Sequence, residues 1–454
     1  MAETGLANEA DVGDLREAMH GRLLAPGEPG YDEARRVWNA TADRRPALIA
    51  SCADVTDVQT ALGFAVARGL PVAVRGGGHS VAGFSTCDDG MVIDLGGMRA
   101  VSVDPERRVA RAGGGATGAD VDRATQEHGL ATTLGVVSTT GIAGLTLGGG
   151  IGWLMRKHGL ACDNLLAVEL VTADGRVLRA SADEHPDLFW ALKGGGGNFG
   201  VATSFEYRLH PVGPTVYGGG VMFDRGRRRA VLEAYRELTR EAPDDLTTYT
   251  AMTDGPDGTP VAAVAACYAG DPAEGARLLD PLKAAVGEPL LDGLGPLTYL
   301  QQQSRMDEAY PRGAYHYWRS CFLDDLTDAV IDVLVDRASD VSAPPALELI
   351  VEHLGGAITA GDGAFAHRGA SHDVLIAANW TDPADEAHCV AWARDTAAAL
   401  APHSRGGYVN YEPDAGGAHV PAAFGDRLAR LAAVKAAYDP HNVFSLNQNV
   451  APAT

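Results

Sequence analysis

The sequence is poor in positive charge for its length. Lys and Arg together number 37 against 59 Asp and Glu, and the formal net charge is −22 at pH 7. Nucleic acids and anionic membrane surfaces attract cationic proteins, so we expect neither of them as a partner. An anionic cofactor is still compatible with this charge, because backbone dipoles in a local pocket can hold phosphate groups.

The sequence also lacks the segments that carry a protein into or across a membrane. No stretch approaches the roughly 18 consecutive apolar residues of a membrane-spanning helix. The first residues, "MAETGLANEADVGDLREAMHG", are acidic and have neither the cationic nor the apolar part of a secretory signal. We therefore expect a cytoplasmic protein with no membrane partner.

Paired cysteines are absent as well. The cysteines are scattered along the chain, and none belongs to a C-x-x-C pair. This pattern predicts free, mostly buried thiols in a reducing compartment and gives no indication of a metal site. The six cysteines are Cys52, Cys87, Cys162, Cys267, Cys321 and Cys389.

What the sequence does contain is glycine, concentrated in three loops. The first loop, "RGGGHS", follows the β-prone residues Val72 and Val74 and ends at His79 and Ser80. Glycine is used where the backbone must turn tightly or approach something closely. The loop therefore predicts a phosphate-binding site with a histidine directed at the ligand, and a plain surface turn is the alternative.

The residues before this loop predict an α/β layer that begins near residue 45. Apolar residues keep helical spacing from Val55 to Val66, and Thr56 and Gln59 resemble a capping box. A strand then leads into the loop. This order places the loop at the carboxyl end of a strand, where ligands usually bind in such sheets.

A second glycine-rich segment covers residues 132–164, and its glycines are too dense to predict a regular helix. Residues 165–180 are then expected to form two strands joined at Asp174-Gly175. A short helix precedes the third loop, which contains G-x-G-x-x-G from Gly195 to Gly200. A Rossmann site needs the order strand, loop, helix, so we exclude it here, and the sequence has no Walker motif.

From about residue 215 the pattern changes to strands mixed with amphipathic helices, without glycine loops. A chain of 454 residues is too long for one ordinary domain, so we place a second domain at 216–400. Strands are predicted at "VYGGGVMFD", "TTYTAM", "PVAAVAACYAG", "AYHYWRSCF", "ALELIVEHLGG" and "SHDVLIAANW".

These motifs, in this order, resemble FAD-linked oxidases of the vanillyl-alcohol oxidase superfamily, and within it the berberine bridge enzyme-like group. The resemblance covers nearly the whole chain and includes "RGGGHSVAGFS", "TTGIAGLTLGGGIGWLMRKHGLACDN", "YVNYEPD" and "AAYDPHNVFSLNQN". It implies an α+β fold in which residues 1–214 and a returning C-terminal segment, 401–454, form a two-part FAD-binding domain. Residues 216–400 are then an inserted α+β substrate domain, an antiparallel sheet covered by helices.

The resemblance implies FAD as the cofactor, joined covalently through His79 to the 8α-methyl group of the flavin. Ser80 and Arg75 would contact phosphates or the flavin, although a surface ion pair is the alternative for Arg75. The other cofactor-binding residues that it implies are Gly76, Gly77, Gly78, Ser138, Thr139, Gly141, Gly144, Gly148, Gly149, Gly150, Gly152, Asn164, Val201, Asn447 and Asn449.

Two positions depart from the family pattern. Many members carry a cysteine that forms a second bond to flavin carbon 6, and Val137 stands at that position here. Leu145 stands where many relatives have a histidine close to the flavin. We therefore expect a single covalent link.

The tail "YVNYEPD" matches the family's Y-x-N-Y motif. Tyr411 corresponds to the tyrosine proposed as catalytic base in several relatives, and Tyr408 would supply a hydrogen bond that tunes it. An ordinary tyrosine pKa near about 10 requires such help, and two core or rim tyrosines are the alternative. Candidate substrate contacts in the second domain, which strand packing would equally explain, are Tyr249, Tyr315, Tyr317, Trp318 and Glu352.

Together these features predict an FAD-dependent oxidase that acts on a small molecule. It would take hydride from a C–OH or C–N centre of a secondary-metabolite-like substrate to flavin N5. O2 would then reoxidise the flavin and yield H2O2. Two alternatives stay open: a flavin oxygenase acting on a polyketide-like substrate, and a flavin-bearing protein that only binds a ligand.

Overall fold

The computed structural model describes residues 9–340, 346–414 and 419–454, and the fold is α+β. The strands of these residues are β1 (Arg22–Leu24), β2 (Leu48–Ser51), β3 (Val72–Arg75), β4 (Met91–Asp94), β5 (Val101–Asp104), β6 (Val109–Gly113), β7 (Leu130–Ala131), β8 (Leu165–Val171), β9 (Val177–Ser181), β10 (Val201–Arg208), β11 (His210–Pro211), β12 (Thr215–Asp224), β13 (Leu246–Asp254), β14 (Pro260–Tyr268), β15 (Leu291–Asp292), β16 (Gly295–Thr298), β17 (Tyr315–Leu323), β18 (Ala346–His353) and β19 (His372–Trp380).

The α-helices are α1 (Glu9–Ala18), α2 (Tyr31–Ala34), α3 (Val55–Ala67), α4 (Gly118–Gln126), α5 (Ile142–Gly148), α6 (Met155–His158), α7 (Pro186–Leu192), α8 (Arg228–Glu241), α9 (Pro272–Val286), α10 (Tyr299–Ser304), α11 (Asp328–Arg337), α12 (Glu386–Leu400), α13 (His419–Phe424) and α14 (Leu428–Tyr438). Within the described ranges, no helix combines the length and the apolar character needed to cross a membrane.

The first sheet has the strand order β1-β2-β4-β3, and β2, β4 and β3 run parallel. Strand β3 ends at Arg75, so the first glycine loop leaves a carboxyl strand end, as the sequence predicts. The predicted capping box of α3 is wrong. The N-cap is Asp54, whose side chain accepts from the backbone N–H of Asp57, because the helix starts two residues earlier than the motif requires.

The second sheet is antiparallel, with the order β5-β6-β10-β8-β9. Its β8–β9 pair is the hairpin predicted at Asp174-Gly175. Helix α7, a loop and then β10 follow in that order, which confirms that the third glycine loop does not open a helix. The expectation of no helix in residues 132–164 is wrong, since Ile142–Gly148 form α5, whose Ile142, Ala143 and Leu147 pack into the core.

The large antiparallel sheet has the order β15-β12-β14-β13-β18-β19-β17, with β16 also paired to β12. Helices α8, α9, α11 and α12 cover one of its faces. Side chains alternate between the two faces along each strand. Leu347, Leu349 and Val351 of β18 therefore pack under these helices, while Glu348 and Glu352 face the opposite side, toward the glycine loops.

The C-terminal segment packs against the first half of the chain. Phe424, Leu431 and Val434 share one core cluster with Trp190 of α7 and with Phe199. The amide N–H of Val450 donates to Oδ1 of Asn198, which lies within the third glycine loop. The domain boundaries that the sequence predicts at residues 214 and 400 remain predictions. All six cysteines are buried and free, as the sequence analysis expects.

Candidate active site

A cavity of about 910 Å³ lies between the uncovered face of the large sheet and the glycine loops. This central cavity is near the upper end of the roughly 300–1,000 Å³ typical of ligand pockets. It brings together three distant parts of the chain. Its lining includes the following residues singled out from the sequence: Gly76, Gly77, Gly78, His79, Ser80, Gly141, Gly144, Tyr249, Trp318, Glu352, Tyr408, Tyr411 and Asn447.

The ring of His79 is held by a stack of aromatic rings. It lies 4.0 Å from Trp38, centroid to centroid, with 17° between the planes. On its other face Trp38 stacks on His316 at 3.7 Å. Burial lowers the pKa of His79 to about 3, so its imidazole is neutral at physiological pH. Its Nε2 is buried and has no hydrogen-bond partner among the described residues.

The first and second glycine loops touch through their backbones. A side chain on Gly77 would meet the backbone of Gly141, and the reverse is also true, so glycine is required at both positions. The backbone N–H groups of Gly77, Gly78 and Ser80 donate none of the hydrogen bonds found among the described residues. Free N–H groups in a turn of this kind suit an anionic group such as a pyrophosphate.

Tyr411 and Glu352 meet on the side of the cavity formed by the sheet. The Tyr411 hydroxyl donates to Glu352 Oε1 at 3.1 Å. Burial raises the pKa of Glu352 well above its usual range, and the nearby charge of Asp373 raises it further. Burial also raises the pKa of Tyr411, which opposes a phenolate. The pair can therefore pass a proton from Tyr411 to Glu352 but does not hold a preformed phenolate.

Tyr408 does not tune Tyr411 in the way the sequence analysis expects. Its ring meets that of Tyr411 edge to face, with 4.9 Å between the centroids. Its hydroxyl accepts instead from the Gly150 N–H at 2.8 Å and from Asn410 Nδ2 at 2.7 Å. Tyr408 therefore fixes the second glycine loop against the C-terminal segment, because both of its partners belong to these two elements.

Several of the residues expected to bind the cofactor support the loops from behind instead of lining the cavity. Arg75 is buried, pairs with Asp94 at 2.9 Å and donates to the Ala34 carbonyl, so the surface ion pair proposed as its alternative is also incorrect. The backbone N–H and the hydroxyl of Ser138 both donate to Asp307. Thr139 is exposed and is absent from the cavity lining.

The four glycines in residues 148–152 are absent from the cavity lining. Other parts of the protein pack so closely against them that a side chain would not fit. A side chain at Gly148 would meet the Asn410 amide, and one at Gly149 would meet the Phe365 ring. Gly150 lies against Ala161, and Gly152 lies against the Leu134 carbonyl.

Three further predicted cofactor residues also lie outside the lining of the central cavity. Asn164 is buried and donates to the carbonyls of His158 and Leu160. Val201 is buried in the core beneath the first sheet. Asn449 Oδ1 is buried without a partner among the described residues.

The aromatic run of β17 divides between the two faces of the sheet. Trp318 faces the cavity, and its indole N–H donates to Asn379 Oδ1. Tyr315 stacks on Trp380, and Tyr317 donates to Asp414 and accepts from Arg394, so both lie outside the cavity lining. The alternation of side chains along a strand explains why two of these three predicted substrate contacts point away.

Sequence reasoning missed two residues at the site. Trp38 stacks on His79, but nothing local in the sequence indicates this contact. Tyr310 lines the cavity and donates to Glu348 Oε2, and it lies outside every motif. Val137 and Leu145, the two departures from the family pattern, both line the cavity.

Comparisons with known proteins agree with this architecture. The family model described as "FAD binding domain" matches residues 46–181, and the one described as "Berberine and berberine like" matches residues 407–451. An FAD-linked oxidoreductase of Dictyostelium discoideum is 30% identical over 449 residues, which cover 97% of each chain. The (R)-6-hydroxynicotine oxidase of Paenarthrobacter nicotinovorans is 40% identical over 193 residues, 42% of each chain.

Solved structures of the same fold include 6-hydroxy-D-nicotine oxidase from Arthrobacter nicotinovorans. It superposes with a TM-score of 0.88 at 29% identity, over 96% of this chain and 98% of its own. Glucooligosaccharide oxidase from Acremonium strictum gives a TM-score of 0.88 at 24% identity, over 98% and 100% of the two chains. That enzyme carries a 6-S-cysteinyl, 8α-N1-histidyl FAD.

Proposed function

The chain belongs to the FAD-linked oxidoreductases with a berberine-like C-terminal segment, and we propose that it oxidises a C–OH or C–N centre of a small molecule, with O2 as the electron acceptor and H2O2 as product. It is an FAD-dependent oxidoreductase. Among relatives, the named activities include oxidation of a hydroxynicotine and of oligosaccharides. These names support a small-molecule substrate, and a secondary metabolite is the class that we propose.

The residues at the cavity fit a covalently held flavin. His79 offers a neutral ring with an unpartnered Nε2, and its stack on Trp38 holds the ring in one orientation. The free N–H groups of Gly77, Gly78 and Ser80 would hold the pyrophosphate. Bound FAD supplies the hydride acceptor. Val137 offers no thiol for a second bond, which supports a single link.

The protein's own contribution to the chemistry is proton removal. When hydride leaves a carbon, the proton on its oxygen or nitrogen must leave as well. Tyr411 would take this proton as its own phenolic proton passes to Glu352 Oε1, 3.1 Å away. Glu352 is therefore the base and Tyr411 the group that touches the substrate. This hydrogen bond is the single observation that carries the proposal.

A substrate panel tests the proposal directly. The purified protein is mixed anaerobically with alcohols, amines and oligosaccharides, and bleaching of the flavin is followed. Oxygen is then admitted and peroxide is measured. We expect at least one compound to bleach the flavin and to release one H2O2 per turnover. Oxygen uptake with incorporation into the product, without peroxide, would support the oxygenase alternative instead.

A further inference from the structure

Three buried carboxyl groups extend from the central cavity toward the outside of the protein. Glu352, Asp373 and Glu412 are 2%, 0% and 4% exposed. Each has one oxygen without a hydrogen-bond partner among the described residues: Glu352 Oε2, Asp373 Oδ2 and Glu412 Oε2. Buried carboxylates are normally paired with a cation. Glu412 is paired with Arg319, but Glu352 and Asp373 form no ion pair with a cation among the described residues.

The register of the large sheet brings the first two acids together. Glu352 of β18 lies directly opposite Asp373 of β19. Directly opposed residues in an antiparallel pair have Cβ atoms about 4.5–5.5 Å apart. Burial and the neighbouring charge oppose ionisation of both carboxyls at once, which favours a state in which the pair holds one proton. Burial raises the pKa of Asp373 to about 7, and the charge of Glu412 raises it further.

Ser320 lies next to both Asp373 and Glu412. Its hydroxyl donates to Asp373 Oδ1 at 2.7 Å and accepts from the backbone N–H of Tyr408 at 2.9 Å. A side chain at Gly407 would meet both the Glu412 carboxyl and the Ser320 carbonyl, so the glycine allows these groups to approach. Glu412 therefore lies close to Ser320 of β17, whose hydroxyl holds the Asp373 carboxyl.

Glu412 also lies between two cavities. Besides the central cavity it lines a second cavity of about 380 Å³, whose wall includes Arg319, Arg394 and His419. Glu412 Oε2 lies 3.3 Å from Arg319 Nε. The side chains of Arg394 and His419 are 57% and 34% exposed, so the second cavity reaches solvent.

We propose that Glu352, Asp373 and Glu412 form a proton relay that carries the substrate's proton from the central cavity to solvent at the second cavity. The proposal rests on the proposed function. In one turnover the O–H or N–H bond of the substrate breaks and an O–H bond forms on Tyr411. The previous proton of Tyr411 moves to Glu352, and the proton held with Asp373 moves to Glu412. Glu412 releases one proton to solvent, which returns the relay to its starting state. No oxidant or reductant enters these steps, since the hydride leaves separately to FAD.

The charged and titratable groups around the relay are consistent with this direction. Glu352 faces Tyr411 and Tyr249, and both of these phenols are buried and neutral. Arg319, Asp414 and His419 lie around Glu412 at the outer end. The guanidinium of Arg319 therefore lies at the outer end of the relay, where it stabilises ionised Glu412 after the proton has left.

Proton release in a single anaerobic turnover tests the relay. The holoenzyme is mixed with substrate in weak buffer that contains a pH indicator, and flavin bleaching and acidification are recorded together. In the wild type we expect both to proceed at one rate. In Glu412→Gln and Asp373→Asn we expect acidification to lag behind bleaching by about tenfold or more, since loss of a proton-transfer group commonly costs about 10²-fold or more.

Asp122→Asn is the matched control. Asp122 is also a fully buried carboxyl whose pKa burial raises to about 7, but it accepts from Gln303 and lies outside both cavity linings. This variant should release its proton as the wild type does. If Asp373→Asn fails to fold, Glu412→Gln at the outer end carries the test alone. Acidification in step with bleaching in Glu412→Gln overturns the relay.

Infrared spectroscopy without substrate provides a readout independent of turnover. The wild-type spectrum minus the spectrum of Asp373→Asn cancels the band of Asp122, which both proteins retain. The shared proton predicts a carboxylic acid C=O band at neutral pH in this difference, and this band should titrate. A flat difference spectrum overturns the shared proton. A different result would contradict the proposed function: flavin that bleaches in Tyr411→Phe at the wild-type rate.

Discussion

The hydroxyl of Tyr411, in the C-terminal segment, donates a hydrogen bond to Oε1 of Glu352, in the large sheet, at 3.1 Å. The two residues are separated by 59 positions and meet only when the C-terminal segment has closed the cavity. Proton removal therefore depends on the assembled fold, because neither group is a suitable base without the other.

Tyr411→Phe removes the hydroxyl and keeps the volume of the ring. We expect the rate of flavin bleaching under anaerobic substrate to fall by about 10²–10⁴-fold, the usual effect of losing a proton-transfer group. Flavin content and reoxidation by O2 should change little, because neither uses this proton. Bleaching at the wild-type rate across the pH range would transfer the role to Glu352 acting directly or to a bound water.

Tyr408→Phe is predicted to act on stability more than on rate. The change leaves the Gly150 N–H and the Asn410 amide without their acceptor, which costs about 1–3 kcal/mol for a buried group. Chemical denaturation measures this loss, and the bleaching rate should fall less than in Tyr411→Phe. An equal fall in both variants would mean that Tyr408 takes part in proton removal.

The pH dependence of bleaching should reflect the ionisation of Glu352. The active form is the carboxylate, so the rate rises with pH through a pKa that burial and Asp373 hold above the ordinary range. Asp373→Asn removes the neighbouring negative charge, lowers the pKa of Glu352 and moves the rise toward lower pH. Glu352→Gln should abolish the rise. A rise at the same pH in Asp373→Asn would show that Glu352 does not control it.

His79→Ala should abolish covalent attachment of the flavin. In the wild type the yellow colour is expected to stay on the chain after acid denaturation, whereas in the variant it should wash out. His316→Ala is the control, because His316 stacks on the opposite face of Trp38 and should leave the bond intact. Flavin that stays bound in acid-treated His79→Ala would reveal a second attachment site.

Val137→Cys tests how closely the cavity wall approaches the flavin. Val137 lines the cavity and occupies the position where family members place a second attached cysteine. In a His79→Ala background we expect the added thiol to hold part of the flavin after acid treatment. Leu145→Cys, also at the cavity wall, should not hold it. Complete loss of colour in the Val137→Cys variant would place the ring elsewhere in the cavity.

Much of this protein could be predicted from local sequence. The first glycine loop, the β8–β9 hairpin and the order helix, loop, strand around Gly195 depend on backbone conformations that short stretches encode. The Y-x-N-Y motif likewise identified Tyr408 and Tyr411. Helix α5 was missed because glycine density argues against a helix, while burial of Ile142 and Leu147 in the core outweighs that local cost.

Only the tertiary structure decided which residues share the cavity. Trp318 faces it and Tyr317 does not, because alternation along β17 could be assigned to a face only once the covering helices were placed. The stack of Trp38 on His79 and the pairing of Glu352 with Asp373 join residues distant along the chain. Strand order and register bring such groups together, and a linear sequence carries neither of them explicitly.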